Sequence, residues 1–356
     1  MIPGAAATAS DVTAAEAAQA VLDAGGSAAD ALVAGFLAAA GAHPGVLLAP
    51  AVALVAGVGV GARAFDGRAA QPGRGAPRPR GFVDAGSVLD AARVAVPRAV
   101  PMLILLHGYQ GRARLRELAR GGVAAAEGAG ATKRAALLRQ IGDSGIVALR
   151  GREIERALLA AGGSVAGGLL TAEDLLEARP GEAEALTARE AASVEDVGVV
   201  LRSPWPAGAE ALPAEVIVTC DGRGVIGALA YTPADSGVAV PELELTLGRD
   251  AVPVRRGIPR VSPGTPLPTA APIAILQRAG GFAAAVGLPG EIAISAGALG
   301  KIASGLSIEV ALADVRVRAG ARAAVAVARD GRTARAIVMG EPGAGMDRGG
   351  HAPLSD

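Results

Sequence analysis

Few residues in this chain have the type and spacing to do chemistry. His107-Gly108, inside Leu105-Leu106-His107-Gly108-Tyr109-Gln110-Gly111, could form an oxyanion loop for a serine nucleophile. That chemistry needs a Gly-x-Ser-x-Gly turn to expose the serine, and Gly142-Asp143-Ser144-Gly145-Ile146 fails at its last position. His107 therefore reads as a helix-surface residue. Gly57-Val58-Gly59-Val60-Gly61-Ala62 nearly spells a dinucleotide fingerprint, but the helix that would hold the phosphate does not follow, so a glycine-rich hairpin is expected. Cys220 has no neighbouring histidine in sequence and reads as an inert small hydrophobe. His43, His107 and His351 with this one thiol offer no zinc spacing, so neither metal nor cofactor is expected.

The elements around these residues carry clear punctuation. Ser27-Ala28-Ala29-Asp30 is a capping box that opens a helix over about Ala28 to Ala40. Asp11 to Leu22 reads as a preceding helix ended by Gly25-Gly26, and small side chains on both helices allow a close crossing. The runs 52–55 and 62–65 form a hairpin, and Gln71 to Arg80, rich in proline and arginine, reads as a surface loop. Helical composition runs from Val100 to Leu159, and Thr171-Ala172-Glu173-Asp174 repeats the capping device. Beyond Glu215, strand hairpins turn at Asp221-Gly222-Arg223-Gly224 and near Asp330-Gly331, with a helix pair around Ile292 to Ala313. Helices first and strands later imply a layered α+β fold.

Composition narrows the partners. Thirty-four Lys plus Arg balance thirty-four Asp plus Glu, so the chain lacks the broad field that holds nucleic acid or an anionic membrane. Four Phe, two Tyr and one Trp leave little for base stacking. Glycine, 51 of 356 residues, is about twice its usual share and implies closely approaching backbones. The start lacks a signal-peptide pattern and Val46 to Val60 is too short and broken to span a bilayer, so a cytoplasmic chain is expected. A homo-oligomer is possible on broad Ala, Val and Leu surfaces.

Several segments, in order, resemble the γ-glutamyltranspeptidase family. Val21 to Ala31 is similar to its Val-Leu-x-x-Gly-Gly-Asn-Ala-Val-Asp-Ala helix start, followed by His43-Pro44. Val94-Ala95-Val96-Pro97-Arg98-Ala99-Val100 resembles Val-x-Val-Pro-Gly-Thr-Val, and Gly168 to Leu175 resembles Gly-Gly-x-Leu-Thr-x-x-Asp-Leu. Pro266 to Pro272 and Gly287-Leu288-Pro289-Gly290 stand where the family has Pro-Leu-Ser-Ser-Met-Ser-Pro and Gly-Ser-Pro-Gly-Gly. The resemblance implies one domain over 1–356 with the αββα sandwich of N-terminal-nucleophile hydrolases. Residues 1–212 would correspond to the large-subunit part and 213–356 to the small-subunit part.

The same resemblance exposes losses. With Asp221 to Gly224 on the family's Asp-x-x-Gly turn, Ala214 stands where the nucleophilic threonine belongs, and a methyl group can neither attack a carbonyl nor drive self-cleavage. The paired serines become Pro268 and Thr269, and Glu291 replaces the glycine after Gly290. The substrate asparagine maps to Ala234 and the amine-holding aspartate falls near Val252. The region between Ser203-Pro204-Trp205-Pro206 and the nucleophile position is shortened, and Val46 to Pro50 replaces a glycine run. Arg68, in Asp66-Gly67-Arg68, matches the family's Asp-x-Arg and would hold a substrate carboxylate, with Thr269 and Gly290 beside it; as a solvated hairpin arginine it would do nothing of the kind.

The expectation is thus a non-catalytic relative that is a partner subunit to a homologous chain or binds a small amino-acid-like metabolite. The rival is an active γ-glutamyltransferase or amide hydrolase with another nucleophile, for which Thr219, Thr232 and Ser236 are available; Thr219, one residue before Cys220, sits too far along the strand. A chain that cannot cut itself should give a single intact species of 34.8 kDa by mass spectrometry. A fragment whose N-terminus lies near Glu215 would contradict the alanine reading.

Overall fold

The computed structural model describes residues 4–57, 59–77, 84–191, 197–205, 208, 212–278, 281–290, 294, 307–319 and 323–340. Strand β1 (Ala6–Ala9) leads into helices α1 (Val12–Asp23) and α2 (Ala28–Ala42), then the hairpin β2 (Ala51–Gly57) and β3 (Gly61–Gly67). Helices α3 (Ala99–Gln110), α4 (Leu115–Leu118), α5 (Arg120–Gly128), α6 (Thr132–Ser144), α7 (Arg152–Gly162) and α8 (Ala172–Leu176) follow. Strands β4 (Gly181–Glu184), β5 (Leu186–Ala191) and β6 (Val197–Arg202) precede the hairpin β7 (Glu215–Cys220) and β8 (Ile226–Tyr231). After β9 (Val238–Val240), β10 (Leu245–Leu247), β11 (Ile273–Gln277) and β12 (Ala283–Gly287) come α9 (Ile308–Ala319), β13 (Ala323–Asp330) and β14 (Thr333–Gly340).

Two antiparallel sheets hold the strands, in the orders β1-β7-β8-β2-β3-β4 and β14-β13-β12-β11-β6-β5; β9 and β10 pair separately. Strand alternation sorts side chains into layers. Ile217 of β7 packs with α1 and α2 residues, whereas Val216, Val218 and Cys220 meet Ala285, Val325 and Val327 of the other sheet. On the far face, Ala324, Ala326 and Ala328 pack against Ile308, Ala311 and Leu312 of α9. The order of layers is helix, sheet, sheet, helix, the αββα sandwich expected above.

Local signals behave as their chemistry requires. Ser27 Oγ accepts from the Asp30 N–H at 3.0 Å while the Asp30 carboxylate accepts from the Ser27 N–H at 2.9 Å, and α2 continues to Ala42, two residues past the expected end. Residues 28–41 of α2 are all buried, as a helix enclosed on every side must be. Its crossing with α5 is backbone on backbone, since a β-carbon on Gly122 would lie 2.1 Å from the Leu37 carbonyl oxygen. Both hairpins expected late in the chain are present as β7–β8 and β13–β14.

Some expectations need correction. The hairpin expected over 52–55 and 62–65 is present as β2–β3, but the strand β1 before it, which pairs with β7, is not among the expected elements. His107 lies within α3, partly buried, its Nε2 2.8 Å from the Ala113 carbonyl, so it ties a turn rather than decorating a surface. In the basic loop Gln71 and Pro72 are buried, because the loop packs on other segments. Of the expected helix pair, only α9 falls among described residues, along with Ile294 and Ser307. No helix among the described residues is long and apolar enough to cross a membrane.

The α1–α2 corner carries a titratable clasp. Asp11 caps α1 by accepting from the Ala14 N–H at 2.7 Å, and its other oxygen lies 3.0 Å from His43 Nε2 at the end of α2. The hydrogen bond to Asp11 raises the His43 pKa above 6.5, against the effect of burial. Burial raises the Asp11 pKa, but the bonds to His43 and Ala14 outweigh it and leave it below 3.8. His43 therefore stabilises fully below its unfolded pKa and loses the contribution as pH rises through the higher folded value; Asp11 contributes above 3.8 and loses it as pH falls through its lower folded value. Urea midpoints should accordingly fall as pH rises above 6.5 in the native chain, and this slope should flatten in His43→Gln. Equal slopes in the two proteins would show that the clasp contributes nothing.

Candidate functional site

The site is built by strand register at one end of the first sheet. Glu215 of β7 pairs with Tyr231 of β8, Tyr231 with Ala51 of β2, and Ala51 with Gly67 of β3. The residue beyond each of three of these, Ala214, Thr232 and Arg68, therefore lies at the same sheet end. Segment 266–269 joins them: Ala70 bridges Pro266, and the Leu267 N–H donates to the Ala69 carbonyl at 2.8 Å. That pairing brings Thr269 Oγ1 within 3.4 Å of Thr232 Oγ1, both hydroxyls buried.

Ala214 is 1% exposed and shares the inter-sheet core with Val216 and Val218. Its carbonyl accepts from the Gly290 N–H at 2.9 Å, in a turn where Gly290 adopts φ +89°, a backbone state that suits glycine. The Gly290 N–H is thus already engaged by the strand head itself. Glu291 lies outside the described residues. Just upstream, Gly287 admits the second sheet onto β7, since a β-carbon there would stand 2.7 Å from Val216 Cγ2.

Arg68 is 9% exposed, which excludes the solvated-hairpin reading. Asp66 accepts from its Nε at 3.0 Å and from Nη2 at 3.2 Å, and the guanidinium lies 5.4 Å from the Trp205 ring centroid. Arg98 Nη1 approaches the same carboxylate at 3.6 Å and donates to the Arg68 carbonyl, while Arg98 Nε donates to the Arg179 carbonyl at 2.6 Å. Burial pulls the Arg98 pKa down, Asp66 opposes this and Arg68 adds to it. Two guanidinium groups share one carboxylate, so the cluster keeps a surplus positive charge suited to a ligand carboxylate.

The structure leaves two of the expected hydroxyls away from this group. Thr219 is on the helix-facing side of β7, fully buried, and donates to the Ala28 carbonyl at 3.1 Å; it stands five positions along the chain from Ala214, about 16 Å in an extended strand. Ser236 is exposed. Cys220 is buried, and burial pushes its thiol up to about 11, in keeping with an inert role. Ala234 is held by a bond to the Gly45 carbonyl, and Val46, Leu47 and Leu48 are core residues rather than cleft lining.

Two polar residues escaped the sequence reading. Ser10 Oγ accepts from the Val216 N–H at 2.9 Å, a hydroxyl near the strand head visible only once β1 is known to pair with β7. Asp250 stands two residues before Val252, with its carboxyl raised to about 6 by burial. Among the described residues, no three His, Cys, Asp or Glu side chains cluster as a metal site would require.

No family model matches the chain, and no curated protein matches it. Solved structures do. Cephalosporin acylase from Bacillus halodurans superposes with a TM-score of 0.70 at 15% identity, over 96% of this chain and 96% of that one. A threonine-to-alanine variant of LmbA2991 gives 0.70 at 16% identity, over 96% and 98%. The γ-glutamyltranspeptidase from Pseudomonas nitroreducens overlaps 52% of this chain and 68% of its own, at 22% identity and a TM-score of 0.44. The first two matches span nearly the whole chain and show that it has the N-terminal-nucleophile hydrolase fold.

Removing the shared carboxylate should be costly, because Asp66→Asn leaves two buried guanidinium groups facing each other. A loss of about 3 kcal/mol or more is expected in urea unfolding. A loss below about 1 kcal/mol would mean that the arginines find other partners.

Proposed function

We propose that this chain is a non-catalytic member of the γ-glutamyltranspeptidase-like acylases that binds a small amino-acid-like metabolite or acts as the partner subunit of a homologous, active chain. The observation that carries the reading is Ala214 at the head of β7, with its carbonyl bound to the Gly290 N–H. Nucleophilic catalysis at that position requires an oxygen or sulfur and free donors opposite it; here the side chain is a methyl and the donor is engaged. Arg68 supports retained recognition, since it is buried at the sheet end with a second guanidinium on the same carboxylate, and Thr232 and Thr269 add buried hydroxyls at that end.

A second reading rests on those same hydroxyls. Thr232 and Thr269 lie 3.4 Å apart, and one could act as nucleophile in an amide hydrolase that needs no self-cleavage. Among the described residues neither has a basic side chain as a hydrogen-bond partner, and an unactivated hydroxyl is a poor nucleophile. The first reading expects no colour from a chromogenic γ-glutamyl anilide and no covalent adduct with fluorophosphonate or β-lactone probes. An adduct on Thr232 or Thr269 would establish the second reading, and turnover of the anilide would end the first.

A further inference from the structure

The basic, proline-rich loop after β3 finds its use in a cavity that shares no lining residue with the cluster around Ala214. The cavity has a volume of about 430 Å³ and lies between residues 71–77 and residues 252–263, with Leu169 at one side. Apolar groups, among them Pro72, Val252, Val254 and Val261, make most of its wall. Among the described residues its charged lining side chains are Arg74 and Arg260, of which Arg260 is already engaged, and no acid lines it. Segment 251–267 contains Arg255, Arg256 and Arg260 and neither Asp nor Glu, so a chain with no net charge concentrates positive charge here.

The walls are tied in place rather than loosely apposed. Gln71 joins them at the base: its Nε2 donates to the Val252 carbonyl at 3.0 Å and its Oε1 accepts from the Val252 N–H at 2.9 Å. Its backbone is bonded to Thr265 and Gly264 as well. On the other side Asp174, buried in the α8 capping box, accepts from the Gly73 and Arg74 N–H groups at 2.7 and 3.0 Å, and Thr171 donates to the Arg74 carbonyl. This fixes the backbone of Arg74 and uses the Asp174 oxygens on N–H groups and the Thr171 hydroxyl, while the guanidinium lies against Gly264 without a carboxylate partner among the described residues. Glu173, beside Gly75, does not line the cavity.

We propose that this cavity binds an amphipathic organic anion, an apolar body in the proline–valine pocket with its carboxylate or sulfonate on Arg74. The size is that of pockets for small organic ligands, and apolar walls with a few fixed polar groups are their usual construction. Ala214, Thr232 and Thr269 are not among the lining residues, although Val252, where the amine-holding aspartate of the resembled family falls, is; the inference rests on Arg74 and the apolar wall and requires no catalysis by the chain.

The test uses the full chain with two fluorescent probes of similar shape, anilinonaphthalene sulfonate and the uncharged phenylnaphthylamine. Both should bind saturably with one-to-one stoichiometry. Arg74→Gln should weaken the sulfonate about tenfold, the value of one charge-assisted contact, and leave the neutral probe within about twofold. Val254→Trp, which fills the pocket, should weaken both about tenfold. Unfolding midpoints equal to those of the native chain establish that each variant is folded. An unchanged sulfonate affinity in either variant, an equal loss of both probes in Arg74→Gln, or the absence of saturable binding would overturn the proposal.

Discussion

The constraint on which the rest depends is the antiparallel register across β7, β8, β2 and β3. Because side chains alternate along a strand, one residue of slip would turn Ala214, Val216 and Val218 toward the helices and Ile217 and Thr219 toward the second sheet. The register also sets which residues meet at the sheet end. Ala214, Thr232 and Arg68 are separated by many residues in sequence and become neighbours only because Glu215, Tyr231, Ala51 and Gly67 pair in one row.

Small residues make this arrangement possible. The chain has few aromatics, so its layers close by bringing backbones together instead of interlocking large side chains. Gly287 against Val216 sets the spacing between sheets, and Gly122 against Leu37 sets the crossing of α2 and α5. The large buried side chains are concentrated near the α2–sheet junction, where Phe36 meets Tyr231 edge to face at 5.3 Å. Tyr231 precedes Thr232, so this aromatic pair also anchors the strand end that carries the site.

Charge is handled locally. Asp30, Asp66, Asp174 and Asp221 are all buried, and each is surrounded by backbone N–H groups, arginines or both. Such aspartates hold loops whose own sequences offer little packing: Asp30 fixes the turn after α3 through Arg112 and Ala113, and Asp174 fixes the loop after β3. Arg68 and Arg98 differ in that two guanidinium groups share the one Asp66 carboxylate.

What the amino-acid sequence determined by itself was local. The capping boxes at Ser27 and Thr171, the glycine-rich hairpin after β2, the turn at Asp221 and the inert setting of Cys220 follow from residues within a few positions of one another, whose hydrogen bonds and dihedral preferences act whatever the rest of the chain does. The methyl at Ala214 and the αββα layering were also legible, through ordered motifs. The tertiary structure alone decided which face Thr219 occupies, that the Gly290 N–H is already bound, that Arg98 joins Arg68 on Asp66, and that a basic loop forms a cavity wall. Each depends on contacts between residues tens to hundreds of positions apart, where pairing partner and burial, rather than residue type, set the chemistry.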